Sequence, residues 1–415
     1  MSIVEDPSLA PRGKQKIEWA SLWMPVLERV RQELVEDGSV RGRRIAVILP
    51  VEPKTAYLAL MLSEAGANVA VAFPGAMVQD DVAAGLAARG VEVFARRAST
   101  PEEEREYFEQ ILSRRPEVVI DDRADVIRFA HTTHPEVLET LLGASEETTS
   151  GVVALRAMEN EGLLRVPCIA ANDSRSKYLF DNRYGSGQST IAAVLDSTNL
   201  LLAGKTVLVV GYGWVGKGVA LRARGMRARV IVSEVDPFAA LEAYHDGYQV
   251  MPAAGACAVA DFVMTATGCR GALGESEIAH LKDGAVLANT GGIDDEFDME
   301  RLREQAIEIR EVRPNVVELR LAEDRSIFVV GDGKCVNLSA GEGHAIEIMD
   351  LTFALQALSA RYLLLHAHEL APGVHMLPRE IDEQVVRTKL DVLGLRIDTL
   401  TSEQEAFLTS WEVPV

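Results

Sequence analysis

Residues 205–218 read KTVLVVGYGWVGKG. The run Thr206 to Val210 is short, unbroken and rich in valine, as a strand covered on both faces is. It leads directly into Gly211-x-Gly213-x-x-Gly216. In this spacing the first glycine permits a tight turn and the second lets a pyrophosphate approach the backbone. The third lets the following helix pack closely, with its free N-terminal amides facing the anion. The next strand-like run, Arg229 to Glu234, ends in a carboxylate eighteen residues after Gly216, where it can hold both ribose hydroxyls of NAD and would repel a 2′-phosphate. NAD is therefore the expected cofactor, with Trp214 and Val215 of the same loop beside it.

Outward from this loop, strand-like runs alternate with helical patterns, which is the signature of parallel sheets covered by helices. Upstream, strands are expected at Arg44 to Leu49, Asn68 to Ala72, Val91 to Ala95, Glu117 to Asp121 and Val166 to Ala171, with helices at Thr55 to Ala65 and Pro101 to Ser113. Downstream, Phe262 to Thr267 and Ala285 to Thr290 continue the second set. The expected fold is α/β, with two doubly wound parallel-sheet domains. Residues 1–188 form a substrate domain and residues 189–346 a Rossmann domain that binds NAD, the crossing falling near a helix from Ser189 to Leu202. Residues 347–415 read as helical, packing back on the first domain and making oligomer contacts.

Composition narrows the function. The 415 residues carry 42 Lys+Arg against 62 Asp+Glu, a formal charge of −20. A surface this acidic repels phosphate backbones, which argues against nucleic acid as a partner. No apolar run approaches the ~20 residues of a membrane span, and the N-terminal MSIVEDPSLAPRGKQ lacks an export signal, so a cytoplasmic protein is expected. Cys168, Cys257, Cys269 and Cys335 lack metal-site spacing and read as buried small hydrophobes. His131 and His134 read as solvated helix residues, and no metal is expected.

Three polar clusters fall near strand ends or in loops of the first domain: Asp121, Asp122 and Asp125; Glu146, Glu147 and Thr148; and Asn172, Lys177, Asp181 and Asn182. Ligands of doubly wound folds sit beyond the carboxyl ends of strands, so all three are candidate site residues. Each also has a plain structural reading. Asp122 and Thr148 suit helix caps, and Lys177 with Asp181 suits an i,i+4 ion pair in solvent.

Taken together, SEETTSGV, NDSRSKYLFDNRYGSGQST, AGKTVLVVGYGWVGKG, VIVSEVDP, TATG and VNLSAGEGH resemble the S-adenosyl-L-homocysteine hydrolase family along nearly the whole chain. NRYGSGQST, GYGWVGKG and the ending LTSWEVPV resemble its archaeal and Thermotoga-type branch. The resemblance implies a small nucleoside substrate, a homotetramer, and tightly held NAD that oxidises the ribose 3′-hydroxyl, acidifies the 4′ hydrogen and permits elimination at 5′. It implies that Lys177 takes the 3′-hydroxyl proton beside Asp181, with a pKa lowered by its surroundings. Asp122 matches a proton-transfer position and Glu147 a hydroxyl-orienting one, with Asn172 and Thr148 at the substrate. Asn182, Thr267, Asn289 and Asn337 match positions at the cofactor, and His344 matches a loop histidine over the purine.

The chain departs from the family pattern at the 5′ end. Pro50-Val51-Glu52-Pro53-Lys54 stands where the family has His-x-Thr-x-Glu, Gly292 replaces a second histidine, and Asp122-Arg123-Ala124-Asp125 replaces a glycine pair between aspartates. These losses lead to an expected change of substrate: dehydration of a free 5′-hydroxyl to a 4′,5′-alkene, as in angustmycin-type nucleoside antibiotic biosynthesis. Water has a pKa about 15.7 and a cysteine-like thiol about 8.5, so expelling hydroxide unaided is harder by up to about 10 kcal/mol. Glu52 is the expected replacement acid. Two alternatives stand beside it: release of homocysteine from S-adenosyl- or S-inosyl-homocysteine, where Lys54 would suit a 6-oxo base, and a regulatory NAD-binding protein without turnover.

Overall fold

The computed structural model describes residues 2–411; residues 412–415, the last four of LTSWEVPV, lie outside the described residues. Six strands of the first sheet are β1 (Arg44–Val47), β2 (Asn68–Pro74), β3 (Glu92–Arg96), β4 (Val118–Asp121), β5 (Gly143–Glu146) and β6 (Pro167–Ile169). They are all parallel in the order β6-β5-β4-β1-β2-β3, so the strand order reverses between β1 and β4. A crevice opens beyond the carboxyl ends at such a reversal. The strand β5 was not expected, because its sequence GASE reads as polar although all four residues are buried. Its polar groups are matched internally, Ser145 by Gln356 at 2.5 Å and Glu146 by backbone amides.

The second sheet contains β7 (Thr206–Val210), β8 (Arg229–Ser233), β9 (Gln249–Val250), β10 (Phe262–Thr265), β11 (Ala285–Asn289), β12 (Glu308–Arg313), β13 (Val316–Ala322) and β14 (Arg325–Cys335). Their order is β12-β13-β14-β11-β10-β7-β8-β9. From β14 to β9 the strands run parallel, whereas β12, β13 and β14 form an antiparallel meander. The second sheet is therefore mixed rather than wholly parallel. Charged residues interrupt β12 and β13, at Glu308, Arg310, Glu311, Arg313, Glu318 and Arg320, as suits a sheet margin facing solvent. Those charges obscured the strands in a reading keyed to continuous apolar runs.

A final short strand, β15 (Gly373–His375), pairs in parallel with β6 and completes a seven-stranded first sheet. It follows the helix Ile346–His366, which is apolar on every side and has 14 buried residues. A helix without a polar face belongs in a core, and this one lies against β4, β5 and the helix Pro25–Asp37. The stretch Ile346–Glu369 is the one segment among the described residues apolar and long enough to cross a membrane, and it is mostly buried inside the protein. Two separate apolar clusters cover the faces of the second sheet.

Candidate active site

The carboxyl ends of β1, β4, β5 and β6 deliver Pro50 and Glu52, Asp122 and Arg123, Glu147 and Thr148, and Asn172 to the wall of one cavity. The second sheet closes it with Val215, Gly268, Thr290, Gly292, Cys335 and Asn337. Between the two sheets, the helical segment Arg175–Lys177 widens into a π-helical stretch, Tyr178–Gly185, and the two together carry Lys177, Asp181 and Asn182 to the same cavity. At 3.6 residues per turn, a residue five positions on points about 140° away. The wider i→i+5 winding brings it back into line. Lys177 Nζ accordingly donates to both Asp181 Oδ1 at 3.1 Å and Asn182 Oδ1 at 2.9 Å, with Glu147 Oε1 at 3.7 Å. The pair of Lys177 and Asp181 is almost wholly buried, which excludes its plain reading as an i,i+4 ion pair in solvent.

The charge balance of this cluster differs from expectation in one respect. Burial is the largest effect on Lys177 and acts to lower its pKa, but Asp181, Glu147 and Asp122 together outweigh it and leave the ammonium above its ordinary range. Lys177 is thus not a depressed lysine in the protein alone. Asp181 is held below the usual carboxylate range: burial, the largest effect, opposes this, and Lys177 and then His344 overcome it. Thr352 Oγ1 donates to Asp181 Oδ2 at 2.9 Å and His344 Nδ1 lies 3.3 Å from Oδ1, so Asp181 is fixed from three sides. His344, expected over the purine, is placed against Asp181 and Ser186. Gln356 Nε2 donates to Glu147 Oε2 at 2.6 Å, and burial pushes Glu147 up to about 8. Burial likewise pushes Asp121 up to about 8 and raises Asp122, whose Oδ1 has no hydrogen-bond partner.

The raised carboxyls carry a consequence for stability. Glu147 and Asp121 keep their protons to about pH 8 when folded, whereas free carboxyls lose them near about pH 4. Between those limits the folded state binds more protons than the unfolded state, so stability is expected to fall as pH rises through the interval. The shifts of Asp181 and Lys177 act outside that window, below and above it respectively. Melting temperatures of the protein without ligand should decline from about pH 5 to 8, and Glu147→Gln should flatten the decline. A melting temperature that climbs across this range would refute the assignment.

Several expected site residues are brought together in other roles. Glu52 lines the cavity but caps the helix Pro53–Glu64, accepting from the amides of Lys54 and Thr55 at 3.2 and 3.3 Å, and lies 2.5 Å from Lys54 Nζ. A carboxylate so engaged is not a free acid, which overturns its expected part in elimination. Lys54 Nζ also donates to the Glu342 carbonyl at 2.8 Å and faces an adjoining cleft with Trp19 and Trp23, so its expected contact with a purine is not formed in this cavity. Thr148 caps the helix Thr149–Asn160 and bonds Glu146, and Asn172 accepts from Thr149 Oγ1 at 3.2 Å. Gly292 leaves room: a Cβ there would meet only Ser150 Oγ, at 3.5 Å. Cys335 lines the cavity and Cys269 is exposed, so two of the four cysteines are not the buried hydrophobes expected. His131 is engaged by the Ile127 carbonyl and the Arg165 amide.

Gln356 and Thr352 were not anticipated. For both the sequence signal is a polar side chain inside an otherwise apolar helix, where burial demands a partner.

The dinucleotide loop fits NAD. Gly211 adopts φ +97, and a Cβ on Gly216 would stand 2.0 Å from the Gly211 carbonyl oxygen, so both glycines are required by the backbone itself. At Gly213 a Cβ would meet nothing within 4 Å, which leaves an open cradle at the start of the helix Trp214–Gly225. Glu234, just past β8, accepts from the amides of Tyr212 and Val235, both at 2.6 Å, and so stands beside the loop. Trp214 stacks on Tyr178 with centroids 5.0 Å apart. Asn337 lines the cavity, whereas Thr267 is bound to the buried Glu296 and Asn289 holds the carbonyls of Ile293 and Gly333, both acting on loop shape.

A dinucleotide-binding sheet that meets a second α/β sheet at a buried lysine–carboxylate cluster defines an NAD-dependent enzyme acting on a small molecule held between them. A family model described as S-adenosyl-L-homocysteine hydrolase matches residues 2–133, and one described as the NAD binding domain of S-adenosyl-L-homocysteine hydrolase matches residues 182–343. The chain is 49% identical to the adenosylhomocysteinase of Pyrococcus abyssi, over 99% of this chain and 97% of that protein. It is 49% identical to the adenosylhomocysteinase of Thermotoga maritima, over 96% and 99% respectively. It is also 46% identical to the S-inosyl-L-homocysteine hydrolase of Methanopyrus kandleri, over 99% and 97%. The chain belongs to the S-adenosyl-L-homocysteine hydrolase family. Relatives this similar over nearly the full length are named as hydrolases, which overturns the expected dehydration of an antibiotic nucleoside. The engagement of Glu52 agrees, since hydroxide would have to leave without the acid assigned to it.

Proposed function

We propose that the protein hydrolyses S-adenosyl-L-homocysteine to adenosine and L-homocysteine, using its NAD as a recycled oxidant. The observation that carries this reading is the buried group of Lys177, Asp181, Glu147 and Asn182 at the junction of the two sheets. When bound, NAD supplies a hydride acceptor for the 3′ carbon and a positive charge that favours release of the Lys177 proton. Lys177 Nζ then exchanges a proton with the 3′-hydroxyl, and Asp181, fixed by Thr352 and His344, holds the lysine in place. Glu147, steered by Gln356, orients the neighbouring hydroxyl, and Asp122, with an unpartnered oxygen, moves the 4′ proton. Asn172 and Thr148 flank the substrate, and Gly211, Gly213, Gly216 and Glu234 hold the dinucleotide.

The leaving group makes the missing histidines tolerable. A thiol of pKa about 8.5 can depart as its anion near neutral pH, without the strong acid that hydroxide would need. Two relatives at 49% identity are named adenosylhomocysteinase, whereas the S-inosyl-L-homocysteine hydrolase of Methanopyrus kandleri stands at 46%, which favours an adenine substrate over a 6-oxo base. NAD-loaded protein should release free thiol from S-adenosyl-L-homocysteine faster than from S-inosyl-L-homocysteine. Absence of thiol from both, measured with a thiol reagent, would refute the reading.

A further inference from the structure

Arg123 and Ala124 follow Asp122 at the end of β4, and both adopt left-handed backbone conformations, at φ +60 and +55. Non-glycine residues are strained there, and such strain persists only where the surroundings impose it. Glu146 imposes it: its carboxylate accepts from the amides of Arg123 at 3.0 Å and Ala124 at 2.9 Å. The effect is to turn the Arg123 side chain onto the cavity wall shared with Pro50, Cys335 and Gly292. One terminal nitrogen reaches Asp125 at 3.2 Å and the guanidinium lies 5.6 Å over the Phe73 ring, while Nε is buried without a partner. The guanidinium thus keeps an unpartnered donor beside its ion pair with Asp125, on the cavity wall next to Gly292, and its charge suits a ligand carboxylate.

We infer that Arg123 is a specificity-determining residue that binds the amino-acid head of the 5′ substituent, its guanidinium taking the α-carboxylate. Arginine keeps its protons throughout the working pH range, so its role here is recognition and not proton transfer. The inference rests on the proposed hydrolase reading for the identity of the substituent.

Arg123→Gly provides the test, because glycine relieves the strain at φ +60 and the variant is expected to fold at least as well as the parent. Binding to NAD-loaded protein is measured by calorimetry for S-adenosyl-L-homocysteine and for 5′-methylthioadenosine, which lacks the amino-acid head. The parent should prefer the former, and Arg123→Gly should weaken it at least tenfold while changing the latter less than about twofold. Equal weakening of both, no weakening, or failure of the parent to bind either compound would overturn the inference. Tight, head-selective binding without thiol release would leave the inference standing and sink the hydrolase reading instead.

Discussion

Replacing Lys177 with glutamine is expected to lower turnover by about 10²- to 10⁴-fold, the usual worth of a positioned proton-transfer group. Glutamine keeps a hydrogen-bond donor near Asp181 and Asn182 but cannot exchange a proton with a hydroxyl. The loss should appear first in oxidation, so the transient absorbance of reduced nicotinamide should vanish along with thiol release. NAD retention should be preserved, because Gly211, Gly213, Gly216 and Glu234 belong to the other sheet. A second effect accompanies the first. Lys177 is the cation that the buried Asp181 and Glu147 share, and removing one partner of a buried ion pair costs about 3–5 kcal/mol when the other stays charged. Glu147, already shifted to about 8, can avoid that cost by remaining protonated, but Asp181 cannot do so as easily. The variant should therefore melt at a lower temperature, and Asp181→Asn added to it should recover part of the difference. Undiminished nicotinamide reduction in Lys177→Gln would remove Lys177 from the proposed proton path.

What the sequence made legible follows from which forces are local. Strands covered on both faces, such as β4 and β7, show as continuous valine-rich runs, and the glycine spacing at Gly211, Gly213 and Gly216 encodes a turn that no other residue can make. The edge strand β12 and its neighbour β13 carry no such mark, since β12 has no buried residue and β13 only two, Val316 and Leu319. The gathering of Lys177, Asp181, Glu147 and Asn172 was legible because strand ends converge in this fold. The protonation of the group was not, since it depends on how many carboxylates surround one ammonium across three chain segments. Glu52 illustrates the same limit. As a residue it reads as a candidate acid, and only the turn that makes it the first cap of the helix Pro53–Glu64, together with Lys54 folding back onto it, reveals that its oxygens are occupied. The widened helix at Tyr178–Gly185 has no composition signature at all, yet it sets which residues face the lysine.

The glycine loop permits a paired test of cofactor binding, in which two alanine substitutions three residues apart should fail in different ways. At Gly216 an added methyl group would stand 2.0 Å from the Gly211 oxygen and 3.5 Å from Val209 Cγ1. The first contact is with backbone, so strand β7 and the helix Trp214–Gly225 must separate. A loss of about 1–3 kcal/mol in stability is expected from overpacking of this kind. At Gly213 the same methyl group meets no protein atom within 4 Å, and the backbone at φ −69 accepts alanine freely. Gly213→Ala should therefore change stability by no more than about 0.5 kcal/mol. Its methyl group would instead fill the space through which a pyrophosphate approaches the helix N-terminus. NAD affinity should fall by about 10- to 100-fold, equivalent to about 1.4–2.8 kcal/mol. Melting curves with and without added NAD separate the two cases, since Gly213→Ala should match the parent without NAD and lose most of its stabilisation by NAD. A Gly213→Ala protein that NAD stabilises as strongly as it does the parent would show that the dinucleotide does not cross this loop.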